Sequence, residues 1–290
     1  MNNDGATLGP DPTALLTVAA LVAFAANSIL CRLALRDGSI DPASFSTVRL
    51  FSGAATLLLL VRLRHRRSTP RWPGSWSGAA ALFLYAVPFS FAYLSLGAGT
   101  GALLLFGAVQ ITMVLASLRR GVRPRPGQWI GLGIAFGGLV YLFLPGITAP
   151  SPVGAVLMLG AGTAWGFYSL QGHGAADALA ETAGNFARSV PLVLGVWLVA
   201  LSTVHARPSG ILWAVLSGAV ASGSGYAVWY RALRHLSSVS AAVVQLAVPL
   251  LAGVGGILLL DEHLTFRLAV AAALILGGSG VTIAGRRAAA

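Results

Sequence analysis

The chain has 290 residues, 56% of them hydrophobic and 9% charged, with a mean hydropathy of +0.80 and a formal net charge of +11. A water-soluble domain carries about 25% charged residues, so this composition excludes one and points to an all-α membrane protein. The positive charge is all Arg and sits between apolar runs, which argues against nucleic-acid binding; the single Cys31 excludes an intramolecular disulfide, and no Cys/His cluster suggests a metal.

The first twelve residues have no basic region and no small-residue cleavage site follows, so no removed leader is expected. Apolar runs of about 20 residues, the length that crosses a bilayer, then predict ten helices. The first, Thr13–Leu35, carries Asn27 and Ser28 at mid-span; the second, Ser44–Leu63, carries Arg49 near its start, where the guanidinium can snorkel to the interface, with a substrate or gating role as the alternative. The third, Trp76–Leu94, sets Tyr85 and Phe89 four apart on one face, with Pro88 between them. Gly97-x-Gly99-x-Gly101 lacks phosphate-loop spacing and reads as a tight turn into the fourth span, Ala98–Leu118, which holds Gln110. The fifth, Pro126–Leu144, contains Gly133-x-x-x-Gly137, a pattern for close packing in lipid. Pro152–Leu170 holds Trp165 and Tyr168, and Ala183–Val204 holds Arg188 and Pro191. Gly210–Tyr230 repeats the four-residue spacing with Ser222 and Tyr226; Leu236–Leu260 contains Gln245 and Pro249; Thr265–Ala284 contains Ala273 and Gly277. Trp72, Trp76, Trp129 and Trp213 fall at span ends as an interfacial belt, and Tyr93 and Tyr230 fall there as belt or gate.

The second half is a faint copy of the first. A shift of about 140 residues sets Ala102 on Ala242, Val114 on Val254 and Gly137-Gly138 on Gly277-Gly278; similar shifts set Tyr93 on Tyr230, Phe24 on Trp165 and Arg49 on Arg188. Residues 1–146 and 147–290 thus form two repeats of five spans, and an odd number inverts one repeat relative to the other. Inverted repeats are a common architecture of secondary transporters, with the substrate site at the midplane between the halves. Arg62, Arg64, Arg66, Arg67, Arg71, Arg119, Arg120, Arg123, Arg125, Arg231, Arg234, Arg286 and Arg287 fall on one side, against Arg32, Arg36, Arg207 and Arg267 on the other. That bias places both termini in the cytoplasm, although the loop Gln171–Thr182 departs from it with Asp177 and Glu181.

Polar and aromatic residues deep in spans must justify their burial in hydrocarbon. Asn27, Tyr85, Phe89, Gln110, Trp165, Tyr168, Tyr226 and Gln245 come from helix pairs related by the repeat, and are expected to line a shared cavity. Such walls suit a neutral or zwitterionic small molecule with an apolar portion. Pro88, Pro191 and Pro249 are candidate hinges. No Asp or Glu lies well inside a span, since Asp261 and Glu262 close the ninth, so proton coupling lacks an obvious carrier and downhill movement is open. Ser222-Gly223-Ser224-Gly225 has no buried His as base, and no Walker sequence is present, so no enzyme, built-in ATPase or cofactor is expected.

Several segments carry a family resemblance. They are Ala164-Trp165-Gly166, the early Arg49 and Arg188, and, in the second repeat, Tyr230-Arg231-Ala232-Leu233, Ala241-Ala242, Pro249 and Asp261-Glu262. In these the chain resembles the EamA-type transporters of the drug/metabolite transporter superfamily. The first repeat departs, with Tyr93-Leu94-Ser95-Leu96, then Val109 for the Pro and Val122 for the acid, and this variant is similar to YddG-like bacterial exporters. The resemblance implies a ten-helix inner-membrane protein that exports aromatic and other neutral amino acids by alternating access, without an obligate protein partner. Two rival readings are a multidrug or other-metabolite exporter of the same superfamily and a membrane-embedded enzyme or sensor.

Overall fold

In hydrocarbon every backbone N–H and C=O must be paired inside the protein, a requirement that helices meet within their own segment. The computed structural model describes residues 12–64, 73–119, 126–144, 149–171, 177–233, 235–236 and 244–287. These form ten helices: α1 (Pro12–Arg36), α2 (Pro42–Arg64), α3 (Trp76–Ala92), α4 (Ala98–Arg119), α5 (Pro126–Phe143), α6 (Pro152–Gln171), α7 (Ala178–Val199), α8 (Pro208–Leu233), α9 (Ala247–Leu260) and α10 (Phe266–Arg287). By length and composition α1, α2, α4, α6, α7 and α8 can cross a membrane, whereas α3, α9 and the described part of α10 are apolar but shorter. Large apolar side chains face outward as well as inward: Phe51 is 63% exposed, Leu258 73% and Val199 88%. A surface of this kind is stable against lipid tails and not against water.

Local chemistry sets the helix ends. Five helices begin with Pro, whose missing N–H costs nothing in a first turn. The Ser75 hydroxyl accepts from Gly78 N–H at 2.9 Å to start α3, and the carboxylates of Asp41 and Asp177 accept from Ser44 N–H at 2.9 Å and Ala180 N–H at 3.2 Å. The Asp177 cap starts α7 five residues before the predicted Ala183, and a 3-10 turn at Leu201–Thr203 follows its end at Val199. Helix α9 begins at Ala247, so Pro249 lies in a first turn and not in mid-helix; Pro88 and Pro191 do lie inside α3 and α7. Among the belt positions, Trp76 and Trp129 are exposed, but Trp213 packs against the core, and Tyr93 is fully buried with its hydroxyl donating to Ala98 O at 3.3 Å. Trp72, Val122, Ala241, Ala242 and the basic residues Arg66, Arg67, Arg71, Arg120, Arg123, Arg125 and Arg234 lie outside the described residues.

The helix contacts come in pairs that an exchange of the two repeats maps onto each other. Helix α3 packs on α6 as α8 packs on α1; α4 packs on α6 as α9 packs on α1; α2 packs on α8 as α7 packs on α3. The pairs α2–α7, α4–α9 and α5–α10 map onto themselves. The repeats are therefore interleaved: each helix of the first four finds its neighbours largely in the other half.

Close approach depends on small residues, at positions that differ from those expected. A side chain on Gly133, Gly137 or Gly277 would meet nothing. The α5–α10 contact uses Gly131, Ala135, Gly138 and Gly278 instead: a Cβ on Gly131 would stand 2.5 Å from Gly278 O and Thr282 N, and one on Gly278 would stand 2.5 Å from Gly131 O. Gly131 and Gly133 point about 200° apart around the helix, so the motif identified by spacing faces away from the partner. Gly99 and Gly101 are likewise inside α4, where a Cβ would press on Gly253 at 2.9 Å and on the Tyr93 ring at 2.5 Å, so they are packing positions and not a turn.

Neighbouring glycines of α5 should thus behave oppositely. Gly131→Ala is expected to cost about 1–3 kcal/mol through overpacking against backbone, read as a lower melting temperature in detergent. Gly133→Ala, on the open face, should be neutral or stabilising by up to about 1 kcal/mol, because Ala restricts the unfolded chain.

Candidate functional site

At the centre of the bundle five of the eight candidate residues meet as a continuous stack of rings. Trp165 on α6 is the hub, with ring centroids at 4.9 Å from Tyr85 on α3, 5.4 Å from Tyr168 and 5.4 Å from Tyr226 on α8. Tyr85 also meets Phe89 at 5.4 Å, and Phe89 meets Tyr93 at 4.8 Å. Further rings outside the candidate set extend the cluster: Phe24 of α1 and Phe186 of α7, at 5.7 and 5.9 Å from Tyr226, and Trp229 of α8, 5.7 Å from Phe24. Phe24 is the repeat partner of Trp165, and that pairing was the available signal; Phe186 had none, because a Phe in an apolar run is unremarkable.

Asn27 is brought in differently. Its side-chain oxygen accepts from Ser217 Oγ at 2.8 Å and Ser222 Oγ at 3.1 Å. Residues five apart in an α-helix stand about 140° apart, too far round for both to reach one atom. Helix α8 resolves this by winding as a π-helix over Leu216–Ser224, whose i→i+5 hydrogen bonds bring residues five apart onto one side. Gln110 is half-buried on α4 and Gln245 half-buried just before α9; neither belongs to the ring stack.

The largest departure from expectation is Arg49. It does not snorkel: it is 2% exposed and the only buried cation among the described residues. Its Nη2 donates to the Tyr85 hydroxyl at 2.9 Å, and its guanidinium lies 5.2 Å from the Tyr85 ring centroid and 4.8 Å from that of Phe89. Its Nη1 is buried with no hydrogen-bond partner. Arg32 Nε is also buried without a hydrogen bond, but it has the Glu262 carboxylate 3.7 Å away; among the described residues Arg49 has no ion pair. An Arg at a helix centre costs about 2.5–3.5 kcal/mol on insertion scales. Ring faces return about 0.5–2 kcal/mol each, which offsets much of that cost and leaves Nη1 unsatisfied. Its repeat partner Arg188 is spent on backbone, donating to Pro73 O at 3.2 Å and Gly184 O at 3.0 Å.

The two ends of the stack differ. At one end Glu262 accepts from Ala98 N–H with both carboxylate oxygens at 2.9 Å, capping α4, while Arg32 donates to Tyr93 O at 2.8 Å and Arg36 donates to Leu260 O. There too Asp41 accepts from His205 N–H at 3.0 Å, and Ile40 pairs with Ala206. Asp41 is 4% exposed; burial alone would raise its carboxyl, but the Ser44 hydroxyl, then the N–H groups of Ser44 and His205, outweigh that and hold it below its usual value. At the other end an open recess is lined by Tyr168, Gln171, Glu181, Thr182, Asn185 and Tyr230.

Against known proteins, the profile of the EamA-like transporter family matches residues 11–144 and again 152–284, one match for each repeat. The chain is 52% identical over 274 residues to the protein PA1977 of Pseudomonas aeruginosa, covering 94% of this chain and 95% of that one. It is 27% identical over 246 residues to the transporter YwfM of Bacillus subtilis (80% and 81% covered). It is 25% identical over 234 residues to the inner membrane transporter YedA of Escherichia coli (75% and 74% covered). A crystal structure with a TM-score of 0.66 and 18% identity covers 93% of this chain and 96% of its own, which is a likeness of fold.

The Asp41 and Glu262 contacts make separate predictions. The folded value of Asp41 lies below the unfolded one, so its carboxylate adds stability above about pH 3.9 and loses it as pH falls through the folded value. Asp41→Asn should therefore flatten the fall in melting temperature between neutral and acid pH. Glu262→Ala should cost about 1–2 kcal/mol of thermal stability at neutral pH by uncapping α4, and Glu262→Gln should recover part of it.

Proposed function

The chain belongs to the EamA-like transporter family, and we propose that it exports neutral amino acids with large apolar side chains across the inner membrane by alternating access. The observation that carries this reading is the ring stack, built by α1, α3, α6, α7 and α8 from both repeats. Rocking of one repeat against the other must part these rings. An apolar side chain entering between them replaces ring–ring contacts with ring–ligand contacts of the same kind, so occlusion of substrate costs little. Asn27, Gln110 and Gln245 supply the sparse polar groups, and Pro88 and Pro191, inside α3 and α7, the places where helices bend.

The positive Arg49 at the centre opposes lipophilic cations, which favours this reading over multidrug export. Among the described residues every Asp and Glu stands at or next to a helix end, so movement down the substrate gradient fits better than proton exchange. With both termini cytoplasmic, as the Arg distribution favours, the recess beside Tyr168 and Tyr230 opens inward and the Glu262 end faces out.

Flux of labelled L-phenylalanine through proteoliposomes tests the reading. Wild-type protein should move it with or without a pH gradient, with inhibition by neutral amino acids and not by lipophilic cations. Trp165→Ala and Tyr85→Ala should each cut the initial rate at least tenfold while the protein still inserts and purifies as a folded species. Normal flux through both variants would remove these rings from the pathway, and inhibition by lipophilic cations alone would favour the multidrug reading.

A further inference from the structure

We propose that Arg49 Nη1 is the receptor for the carboxylate of the transported molecule, so that the central site selects organic carboxylates with an apolar body. This rests on the reading of the ring stack as the substrate site and adds to it the charged group that binds there.

The argument starts from what surrounds the guanidinium. The titratable groups that act on it are the phenols of Tyr85 and Tyr226 and the thiol of Cys31, none of them a carboxylate. The chain has eight acidic residues, and the six that are described, Asp37, Asp41, Asp177, Glu181, Asp261 and Glu262, lie at or beside helix ends. No carboxylate of the described protein can reach Arg49, so its charge is balanced by nothing but polarisable rings. One of its two terminal nitrogens is already held, with Nη2 fixed on Tyr85. That bond orients the planar group and leaves Nη1 as the donor without an acceptor. A guanidinium fixed in this way offers a carboxylate a charge-assisted hydrogen bond in a medium of low dielectric.

Geometry supplies the rest of the ligand. Tyr85 and Phe89, which flank the guanidinium, are also members of the ring stack, with Trp165 4.9 Å beyond Tyr85. A molecule whose carboxylate meets Nη1 therefore lays its adjoining carbon skeleton against Tyr85, Phe89 and Trp165. The ammonium of an amino acid would face the same electron-rich ring surfaces, and its carboxylate, not its ammonium, would be the group the site recognises. The repeat partner Arg188 differs, because its Nη1 donates to Pro73 O and Gly184 O and so fastens backbone. The repeat thus supplies two arginines, one fastening backbone and one facing the stack.

Binding to the full-length protein, read by intrinsic tryptophan fluorescence, with competition against L-phenylalanine uptake in proteoliposomes, tests this. The probes are L-phenylalanine, 3-phenylpropionate, L-phenylalaninamide and phenethylamine. The wild type should bind the two carboxylates within tenfold of each other and the amide and amine at least tenfold more weakly. Arg49→Gln should lose that preference, and Arg49→Lys, which keeps a charged donor, should retain it at lower affinity. If the amide and amine compete as well as phenylalanine, Arg49 is not the carboxylate receptor and the amino acid reading stands. If 3-phenylpropionate binds but phenylalanine is not carried, the receptor stands and the amino acid reading falls. Binding of none of the four overturns both. A variant that does not fold changes none of these outcomes, since the wild-type panel decides them.

Discussion

The structure depends on backbones of opposite repeats touching. A Cβ on Gly218 of α8 would stand 2.0 Å from Ser52 Oγ and 2.1 Å from Arg49 O on α2, and a Cβ on Gly184 of α7 would stand 1.6 Å from Pro73 O. Lipid tails are as apolar as Leu, so helices gain little from hiding apolar surface from them; close packing and polar contacts must hold the bundle. The α2–α8 contact does both. It brings the turn of α2 that bears Arg49 against α8, and the guanidinium lies inside the protein among the rings of α3. Had a larger residue stood at Gly218, the two helices would separate and the Arg could reach the interface, as its sequence position alone suggests.

The same economy limits the polar groups available at the centre. Most hydroxyls bond within their own helix: Ser46 to Pro42 O, Ser52 to Val48 O, Ser90 to Ala86 O, Thr112 to Ala108 O and Ser169 to Trp165 O, at 2.7–3.0 Å. Among the described residues, side-chain pairs that cross between repeats include Asn27 with Ser217 and Ser222, and Trp197 Nε1 donating to Ser44 Oγ at 3.0 Å. Against that background an orphan Nη1 stands out. The π-winding of α8 belongs to the same accounting, since it lets one Asn oxygen satisfy two serines that α-helical geometry would hold apart.

What could be read from the sequence follows the physics of each signal. Hydropathy over about 20 residues is a strong long-range pattern, so the ten helices and their order were legible, as were the two repeats. Five rings of the central cluster were legible because aromatic residues deep in spans align between repeats. Helix faces were not. Gly131 and Gly133 both read as small residues, and only the partner's position decides which one is in contact. The start of α7 was misplaced because Asp177 looked like a loop residue until its carboxylate was seen capping Ala180. Arg49 was placed at an interface because depth in a bundle depends on helix tilt and neighbours, which no local pattern encodes.

Departures from the repeat make the two ends of the molecule unequal. Exchange of the repeats maps the contact of Asp41 with His205 onto the contact of the α7 start with Pro73 and Ser75, where Asn185 accepts from Ser75 N–H at 2.8 Å. Each end therefore has one fastening of this kind. Glu262, by contrast, caps α4 and faces Arg32, and the matching position in the first repeat is Val122, which has no carboxylate to offer. Among the described residues that end also has the Thr182–Tyr230 hydroxyl pair at 3.1 Å and the Arg64–Asp177 pair at 3.4 Å, the latter exposed. An exposed pair is worth about 0–1 kcal/mol, less than the Glu262 cap. The two copies of one fold thus differ in how their ends are tied, with the Glu262 carboxylate on the start of α4 and Val122 at the matching position of the first repeat.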